Sequence, residues 1–432
     1  MSVHTTFNMF SPETIKTMTM DLEIEIVSPN SFNRYSKPEK VIAYDFDEND
    51  NLKIPYAYAI SKLGLPKPKR GLFPQTDTEF TGELREDQLT VAQEAITSLN
   101  KNGYVMISSF TGFGKSIVGV YLSCQTKLKT LILIPNKTVL IDQWKESYND
   151  FCKDCRVQLV KPRDNELDET ASIYIMNSLN ASKKSTDFFK NIGTLIVDEC
   201  HLAVSNILSK ALHKIHPRYL ISLSATPYRT DGLDTLLKLF FGEETIYRQL
   251  NRKHTVYMVS TFITPDVDYD NNGKIIWNSV LNSQAMNNER NDMIVKLIRL
   301  FKQRIFLILC KRVEQARIIY KKLLDQNESV TILTGSEKTF NKDSRVLVGT
   351  VQKCAIGFNH PKLNALLVAS DVEAYYIQYL GRVFRTQEGE PIILDVVDNH
   401  PILKKHWLTH KSVYIKHGGE VKDFRETFPN VL

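Results

Sequence analysis

The segment SFTGFGKS at residues 109–116 contains residue types that can hold a phosphate group. It lies between the apolar runs YVMISS and IVGVYLSCQ, so a strand, a glycine-rich turn and a helix are predicted in that order. Gly112 and Gly114 would let backbone N–H groups approach a phosphate, and the helix N-terminus would add partial positive charge. Lys115 can then reach the β- and γ-phosphates, and the Ser116 hydroxyl can bind magnesium. Taken alone, the same segment also fits an ordinary strand-to-helix turn.

Two adjacent carboxylates, Asp198 and Glu199, follow the apolar run TLIV. Because ligands of open α/β sheets bind at the carboxyl ends of the strands, both side chains are predicted at a ligand-binding edge. Asp198 suits a magnesium contact and Glu199 suits the orientation of an attacking water, and phosphoryl transfer to water requires both roles. The alternative is an acidic pair at a helix N-terminus, where the helix dipole favours negative charge.

A second cationic group comes from the segment YIQYLGRVFR at residues 376–385. Gln378, Arg382 and Arg385 stand at positions i, i+4 and i+7 of a predicted helix and therefore share one face. Two guanidinium groups on one face can neutralise the charge that develops on a transferring phosphoryl group. The alternative is a solvated helix face.

These residues must be positioned by the strands and helices around them. From about residue 100 onward, short β-branched apolar runs alternate with helix-length segments, which is typical of parallel sheets covered by helices. The predicted strands are YVMISS, TLILIP, VQLVKP, ASIYIMN, TLIVDE and YLISLSAT in a first series, and RIFLILC, VTILTG, RVLVGTV, ALLVAS and PIILDVVD in a second. We therefore expect an α/β fold with two parallel-sheet domains.

The predicted domain boundaries follow from where this alternation starts and pauses. Residues 1–78 contain strand-like runs and end in the proline-rich LPKPKRGLFPQ, which predicts a small β-containing accessory domain. This domain either packs over the first α/β domain or recognises a substrate or partner. The first α/β domain is predicted over residues 79–248 and the second over residues 286–432. Residues 249–285 contain the turn-rich TPDVDYDNNGK and are predicted to connect the two domains.

Length and composition agree with this organisation. The 432 residues are 42% hydrophobic and 24% charged, which is typical of globular proteins and excludes a disordered or rod-like chain. The net charge of +6 permits a polyanionic partner without requiring one. No apolar run reaches the roughly 18 residues of a membrane helix, and the N-terminal segment lacks the pattern of a secretory signal. We therefore expect an intracellular protein without a membrane partner.

The order of these segments resembles the motif order of the superfamily 2 helicases, from Phe80 to Asp398. The segments that match, from the adenine-recognising segment through motifs I, Ia, II, III, IV, V and VI, are LREDQ, SFTGFGKS, LIPNKTVLIDQW, DECH, SATP, ILCKRVEQA, VGTVQKCAIGFN and QYLGRVFR. SATPYRTDG, the Gln143-Trp144 pair and the QxxGRxxR form of motif VI look most like the XPB-type DNA translocases. Viral relatives of that branch include poxvirus-type transcript-release helicases and phage branch-migration helicases. The resemblance implies two tandem RecA-like domains and the cofactors ATP and Mg²⁺.

The resemblance also implies roles for individual residues. The implied ATP-binding residues are Arg85, Gln88, Thr111, Gly112, Phe113, Gly114, Lys115, Ser116 and Gly357, of which Arg85 and Gln88 would read adenine. The implied catalytic residues are Lys115, Asp198, Glu199, Arg382 and Arg385, with Ser116 and Asp198 at the metal. The residues implied to couple hydrolysis to domain movement are His201, Ser224, Thr226 and Gln378. The implied contacts to the nucleic-acid backbone are Lys137, Thr138, Asn177, Ser178, Thr334 and Thr350, each of which can instead cap a loop.

The function implied by the resemblance is that of an ATP-dependent DNA helicase or translocase, moving 3′-to-5′ and acting in viral transcript release. Three alternatives stay open: a branch-migration or repair helicase, an RNA helicase, and a nonhydrolysing nucleic-acid-binding scaffold. The expected partners are DNA, held by sequence-independent backbone contacts, and transcription or replication machinery. A viral protein of this kind is expected in the host cytoplasm or the virion, and a cellular one in the nucleus.

Two further segments carry a functional and a structural interpretation. Cys152 and Cys155 have the spacing of metal ligands, but no second pair follows nearby, so a zinc site is not expected. The six cysteines are scattered along the chain, most of them in apolar runs, so a disulfide framework is not expected either. The C-terminal segment LKKHWLTHKSVYIKHGG is basic, with Trp407 and Tyr414 interleaved. It predicts either a phosphate-gripping segment or an ordinary amphipathic helix.

Overall fold

The chain divides into two units. The computed structural model describes all residues except 1, 7–8, 27–38, 48–50, 111, 136–137, 204–210, 226–232, 336, 338, 356–359, 361, 373–375, 385–388, 430 and 432. The first unit contains Met1–Ser109 and Phe113–Arg248, and the second contains Phe110–Gly112 and Gln249–Leu432. Among the described residues, no helix combines the length and the apolar character needed to cross a bilayer.

The N-terminal part of the first unit is built from short antiparallel strands and two helices. Its elements are β1 (Ser2–Thr5), α1 (Pro12–Leu22), β2 (Glu23–Ile26), β3 (Glu39–Ile42), β4 (Asp45–Phe46), β5 (Leu52–Pro55) and α2 (Tyr56–Ser61). Strand β5 pairs with both β1 and β4, and β2 pairs with β3. Helix α1 begins at Pro12 because proline suits the first helical position and Ser11 accepts a hydrogen bond from the Thr14 N–H at 3.2 Å.

The rest of the first unit is a seven-stranded parallel sheet. Its elements are β6 (Glu79–Phe80), α3 (Glu86–Asn102), β7 (Tyr104–Ser109), α4 (Lys115–Thr126), β8 (Thr130–Ile134), α5 (Thr138–Phe151), β9 (Cys152–Lys153), β10 (Val157–Val160), β11 (Ile173–Asn177), α6 (Ser178–Ala181), β12 (Thr194–Asp198), α7 (Cys200–Ala203), β13 (Tyr219–Ser224), α8 (Asp234–Phe241) and β14 (Thr245–Arg248). The strand order is β10-β11-β8-β12-β13-β7-β14, and β6 pairs with β9 outside this sheet. Strands β7, β8, β12 and β13 are buried along their whole length, as continuous apolar runs predict.

The second unit is also a seven-stranded parallel sheet. Its elements are β15 (His254–Ser260), α9 (Trp277–Met286), α10 (Asn288–Leu300), β16 (Phe306–Cys310), α11 (Val313–Asp325), β17 (Val330–Leu333), β18 (Val346–Thr350), α12 (Val351–Ala355), β19 (Ala365–Val368), α13 (Tyr376–Val383), β20 (Ile392–Val397), α14 (Pro401–Lys416), β21 (Gly419–Asp423) and α15 (Phe424–Thr427). The strand order is β17-β18-β16-β19-β20-β15-β21. The two sheets confirm the predicted α/β class.

The structure differs from the predicted domain boundary at residue 78. Residues 1–78 were predicted to form a small accessory domain, and they lie in the same unit as the first sheet, which agrees with the interpretation that they pack over the first α/β domain. Leu22, Ile54 and Tyr56 belong to the same apolar cluster as Tyr104 and other residues of the sheet and its helices. One continuous core holds both parts together, because the short N-terminal strands cannot bury their apolar faces on their own.

A second difference concerns residues 249–285, which were predicted to connect the two domains. Strand β15 lies inside this range and pairs in parallel with both β20 and β21, so it is an internal strand of the second sheet. Helix α9 covers the end of the range. The β-branched run HTVYMVS forms its hydrogen bonds with strands more than 130 residues later in the chain, which local sequence patterns do not reveal.

The C-terminal basic segment forms the amphipathic helix α14. Leu403, Trp407, His410 and Tyr414 are its buried residues, and their spacing of three and four places them on one helix face. Both aromatic side chains of the predicted phosphate-gripping segment are therefore in the core of the second unit. The glycine pair after the helix leads into β21, a strand that the sequence interpretation did not include.

Candidate active site

The loop between β7 and α4 turns through two glycines in the left-handed region. Gly112 has φ of 96° and Gly114 has φ of 93°. A Cβ atom on Gly114 would lie 2.3 Å from Nε2 of Gln88, so a larger residue does not fit there. Lys115 begins α4, and its ammonium group donates a hydrogen bond to the Ser109 carbonyl at 2.8 Å across the turn. Thr111 lies outside the described residues.

Two side chains at the start of α3 hold the same loop by its backbone. Gln88 Nε2 donates to the Phe113 carbonyl at 2.7 Å, and the Arg85 guanidinium donates to the same carbonyl. The Gln88 side-chain oxygen in turn accepts from the Arg85 backbone N–H at 3.0 Å. Gln88 and the Phe113 ring are both buried. The residues implied to read adenine are thus in contact with the loop itself.

The predicted carboxylate pair stands at the carboxyl end of β12, in the interior of the first sheet. Asp198 is the last residue of the strand, and its Oδ1 accepts a hydrogen bond from the Glu199 N–H at 2.9 Å. Its Oδ2 accepts from Nε1 of Trp144 at 2.8 Å. Glu199 has φ of 48°, a backbone conformation that is rare for residues other than glycine and that occurs at functional turns. Its Oε2 is buried and accepts no hydrogen bond from any described residue.

The electrostatics of this pair favour the arrival of a cation. The pKa of Asp198 is raised to about 6, first because the carboxyl group is buried and second because Glu199 is adjacent. The Trp144 N–H and the Lys115 ammonium oppose this shift, because both stabilise the charged carboxylate. The positive charge of Lys115 therefore favours the ionised form of Asp198.

His201 and Ser224 connect the neighbouring ends of β12 and β13. Nδ1 of His201 lies 2.8 Å from the Ser224 hydroxyl and 3.6 Å from Oε2 of Glu199. All three side chains come together because β12 and β13 are adjacent parallel strands, so their carboxyl ends meet at one edge of the sheet. Thr226, the other residue implied in coupling on this strand, lies outside the described residues.

The carboxylate and hydroxyl groups near the loop fit magnesium, which prefers oxygen ligands to nitrogen or sulfur. Asp198 and Glu199 supply two carboxylates, one with the buried Oε2 that accepts no hydrogen bond from described residues. Ser116 stands in the first turn of α4, directly after Lys115. Among the described residues, no group of three histidine, cysteine or acidic side chains has the arrangement of a metal site, so magnesium would also need phosphate or water ligands.

The nucleic-acid contacts implied in the first unit fall at the carboxyl ends of other strands. Asn177 ends β11 and caps α6, since its side chain accepts a hydrogen bond from the Leu179 N–H at 2.9 Å. Ser178 is buried in that short helix. Thr138 begins α5, and Lys137 lies outside the described residues. The Asn177 contact matches the alternative interpretation, in which the residue caps a loop.

In the second unit, the implied residues are spread over several strands and helices. Thr334 and Thr350 are buried at the carboxyl ends of β17 and β18, and the Thr334 hydroxyl donates to Glu337. Arg382 is buried in α13, the helix that also contains Gln378. Gly357 and Arg385 lie outside the described residues. The roles implied for this set stay predictions.

One functional candidate was missed as a contributor to the site. The sequence analysis used Trp144 only for the resemblance of the Gln143-Trp144 pair to one helicase branch, yet its indole N–H donates to Asp198 directly. The signal in the sequence was the tryptophan itself, because a tryptophan that becomes buried needs an acceptor for its N–H. The identity of that acceptor required the fold, because residues 144 and 198 are far apart in the chain.

The sequence of the chain is similar to that of several known proteins. Residues 81–229 match the family model ResIII, described as "Type III restriction enzyme, res subunit". "Putative helicase 161L" of Invertebrate iridescent virus 6 is 41% identical over 414 residues, which cover 90% of this chain and 93% of that protein. "Transcript termination protein A18" of Rabbit fibroma virus (strain Kasza) is 26% identical over 344 residues, which cover 70% of this chain and 69% of that protein.

A solved structure shows the same fold at low sequence identity. The structure of S. cerevisiae Dbp5 bound to RNA and ADP BeF3 has a TM-score of 0.53, with 16% identity over 79% of this chain and 93% of that one. This likeness confirms the predicted pair of RecA-like domains.

Proposed function

The chain belongs to the superfamily 2 helicases, in the group that includes helicase 161L of Invertebrate iridescent virus 6, and on this basis we propose that it is an ATP- and Mg²⁺-dependent motor that moves along nucleic acid. The observation that carries the proposal is the carboxylate pair at the end of β12. Asp198 is buried and feels the positive charge of Lys115, and Glu199 Oε2 is a buried atom that accepts no hydrogen bond from the described residues. Hydrolysis of a nucleoside triphosphate needs such an arrangement.

In this proposal, each site residue of the first unit has a distinct task. The backbone N–H groups after Gly112 and the Lys115 ammonium bind the phosphates. Asp198 holds the metal side of the site, and Glu199 orients the attacking water and takes up its proton. Magnesium, when bound with ATP, neutralises phosphate charge. His201 and Ser224 transmit a change at Glu199 to the end of β13, since they bridge the two strands.

The finer assignment is to DNA, with 3′-to-5′ movement and a task in viral transcript release. The relative named for transcript termination supports this task, because the likeness extends over 70% of this chain. The chain's own charge of +6 is compatible with backbone contacts to either DNA or RNA. RNA is the second candidate substrate, and ATP hydrolysis measured with each nucleic acid separates DNA from RNA.

The test is ATP hydrolysis measured with single-stranded DNA, single-stranded RNA or no nucleic acid. We expect DNA to stimulate wild-type hydrolysis more than RNA does. Glu199→Gln should lower turnover about 100-fold or more while keeping nucleotide affinity, since it removes a general base but no phosphate contact. Lys115→Ala should lower both turnover and affinity.

Matched controls come from exposed residues of the same unit, Lys190→Ala and Glu169→Gln, which should leave turnover unchanged. Wild-type turnover in both site variants would refute the proposal. Equal or greater stimulation by RNA would refute only the assignment to DNA.

A further inference from the structure

We propose that Trp144 is a positioning residue that fixes the Asp198 carboxylate relative to the phosphate-binding helix α4, with Gly119 as the position that admits its ring. The inference rests on the function proposed above, since it concerns the metal side of the same site. Trp144 would not touch substrate or metal. It would act through Asp198.

The first observation is the hydrogen bond itself. Nε1 of Trp144 donates to Oδ2 of Asp198 at 2.8 Å, and both residues are buried. Oδ1 is fixed separately by the Glu199 N–H at 2.9 Å. Each carboxylate oxygen therefore has one donor that sets its orientation, and each keeps a lone pair for a cation or a water. Indole is a neutral donor, so it orients the carboxylate without competing as a counter-ion.

The second observation is that α4 has a glycine where the indole ring lies. A Cβ atom on Gly119 would stand 2.7 Å from Cη2 and 3.3 Å from Cζ3 of Trp144, so any larger residue would displace the ring. Gly119 is one helical turn after Lys115 and three residues after Ser116. The ring thus lies against the same helix that presents the lysine and the serine hydroxyl.

A third contact fixes α5 to α4 one turn further along. The Tyr148 hydroxyl donates to the Ser123 hydroxyl at 2.9 Å, and both residues are buried. The Trp144 and Tyr148 rings are stacked, with centroids 6.2 Å apart. Helix α5 is therefore held against α4 over the turn from Trp144 to Tyr148, which restricts the movement of the indole N–H away from Asp198. Trp144 therefore contacts both α4, at Gly119, and the Asp198 carboxylate.

The experiment compares Trp144→Phe with Tyr148→Phe. Trp144→Phe keeps an aromatic ring but removes the N–H, whereas Tyr148→Phe removes one buried hydrogen bond from the same helix pair without touching Asp198. The readouts are the Mg²⁺ concentration for half-maximal binding of the fluorescent nucleotide N-methylanthraniloyl-ATP, and the thermal unfolding midpoint. We expect Trp144→Phe to raise that Mg²⁺ concentration about 10-fold or more, as loss of a group that orients a metal ligand does.

Each variant loses one buried hydrogen bond, so Tyr148→Phe should lower the unfolding midpoint about as much as Trp144→Phe does. Tyr148→Phe should leave the Mg²⁺ requirement within about 2-fold of wild type, because Tyr148 does not orient Asp198. A Trp144→Phe protein with an unchanged Mg²⁺ requirement would overturn the inference, as would an equal rise in Tyr148→Phe. Wild-type protein that binds no nucleotide at any Mg²⁺ concentration would overturn the proposed function as well, so the two failures are distinguishable.

Gly119→Ala tests the ring position separately. It should raise the Mg²⁺ requirement in the wild-type background, because the new methyl group displaces the indole. In the Trp144→Phe background the same change should have a smaller effect, since phenylalanine lacks the Cη2 and Cζ3 atoms that the methyl group would meet. Equal effects in both backgrounds would contradict the role given to Gly119.

Discussion

Gln88 and Arg85 contact the loop between β7 and α4, the proposed phosphate-binding loop, through the Phe113 carbonyl. This contact predicts the effect of replacing either residue. Both side chains donate to that oxygen, and Gln88 also lies where a Cβ atom of Gly114 would be. A residue that fixes the loop backbone affects every nucleotide that the loop holds. A residue that reads the base affects only the nucleotide with that base.

We expect Gln88→Ala to weaken binding of fluorescent ATP and GTP analogues by the same factor. One lost hydrogen bond of about 0.5–1.5 kcal/mol corresponds to a factor of roughly 2–12. The measurement is a fluorescence titration with each analogue, and Gln93→Ala, an exposed position of α3, is the control. A loss confined to the ATP analogue would favour the adenine-reading role that the resemblance implies.

At the scale of elements, a buried ion pair joins a helix of the second unit to the end of a strand. Asp398 directly follows β20, and its Oδ1 and Oδ2 accept hydrogen bonds from Nε of Arg290 in α10 at 2.9 and 3.0 Å. Thr261 and Gln284 donate to the same carboxylate at 2.7 and 2.6 Å. Arg290 is fully buried, so α10, β20 and the end of β15 are joined through one carboxylate.

Replacement of Arg290 by leucine should lower the free energy of unfolding by about 3–5 kcal/mol, because it leaves a buried carboxylate without its counter-charge. Urea denaturation of the full chain measures this. Arg299→Leu, at an exposed position of the same helix, should cost less than about 1 kcal/mol. An Arg290→Leu protein as stable as Arg299→Leu would contradict the expected penalty for leaving the Asp398 carboxylate buried without a counter-charge.

For the chain as a whole, residues 1–78 belong to the same compact unit as the first sheet and share its apolar core. Tyr56 is fully buried, and its hydroxyl donates to the Arg218 carbonyl at 2.8 Å, which joins α2 to the residue before β13. Lys67 donates to the Asn100 and Lys101 carbonyls at 2.8 and 2.9 Å and so caps the end of α3. Both contacts connect the N-terminal part to elements of the first sheet.

Tyr56→Ala should therefore destabilise the whole first unit, by about 3–5 kcal/mol for the loss of a buried aromatic side chain. The exposed Phe46 of the same N-terminal part supplies the control, since Phe46→Ala should cost less than about 1 kcal/mol. Hydrogen exchange of β7 and β13 amides reports whether the sheet itself is affected. Unchanged exchange in Tyr56→Ala would mean that the N-terminal part folds independently of the sheet.

The sequence by itself determined the α/β class, most strands of both sheets, and the family. Buried strands need continuous apolar runs, and a phosphate-binding loop needs glycine and lysine at fixed spacing, so both leave local patterns such as YVMISS and SFTGFGKS. The same holds for the carboxylate pair that follows TLIV.

Only the tertiary structure decided which distant segments pair. It placed β15 inside the second sheet, joined residues 1–78 to the first core, and brought the Trp144 indole to Asp198. It also directed Gln88 to the Phe113 carbonyl. The physical reason is that a strand or a buried donor specifies only that it needs a partner, while the identity of the partner depends on how the whole chain packs.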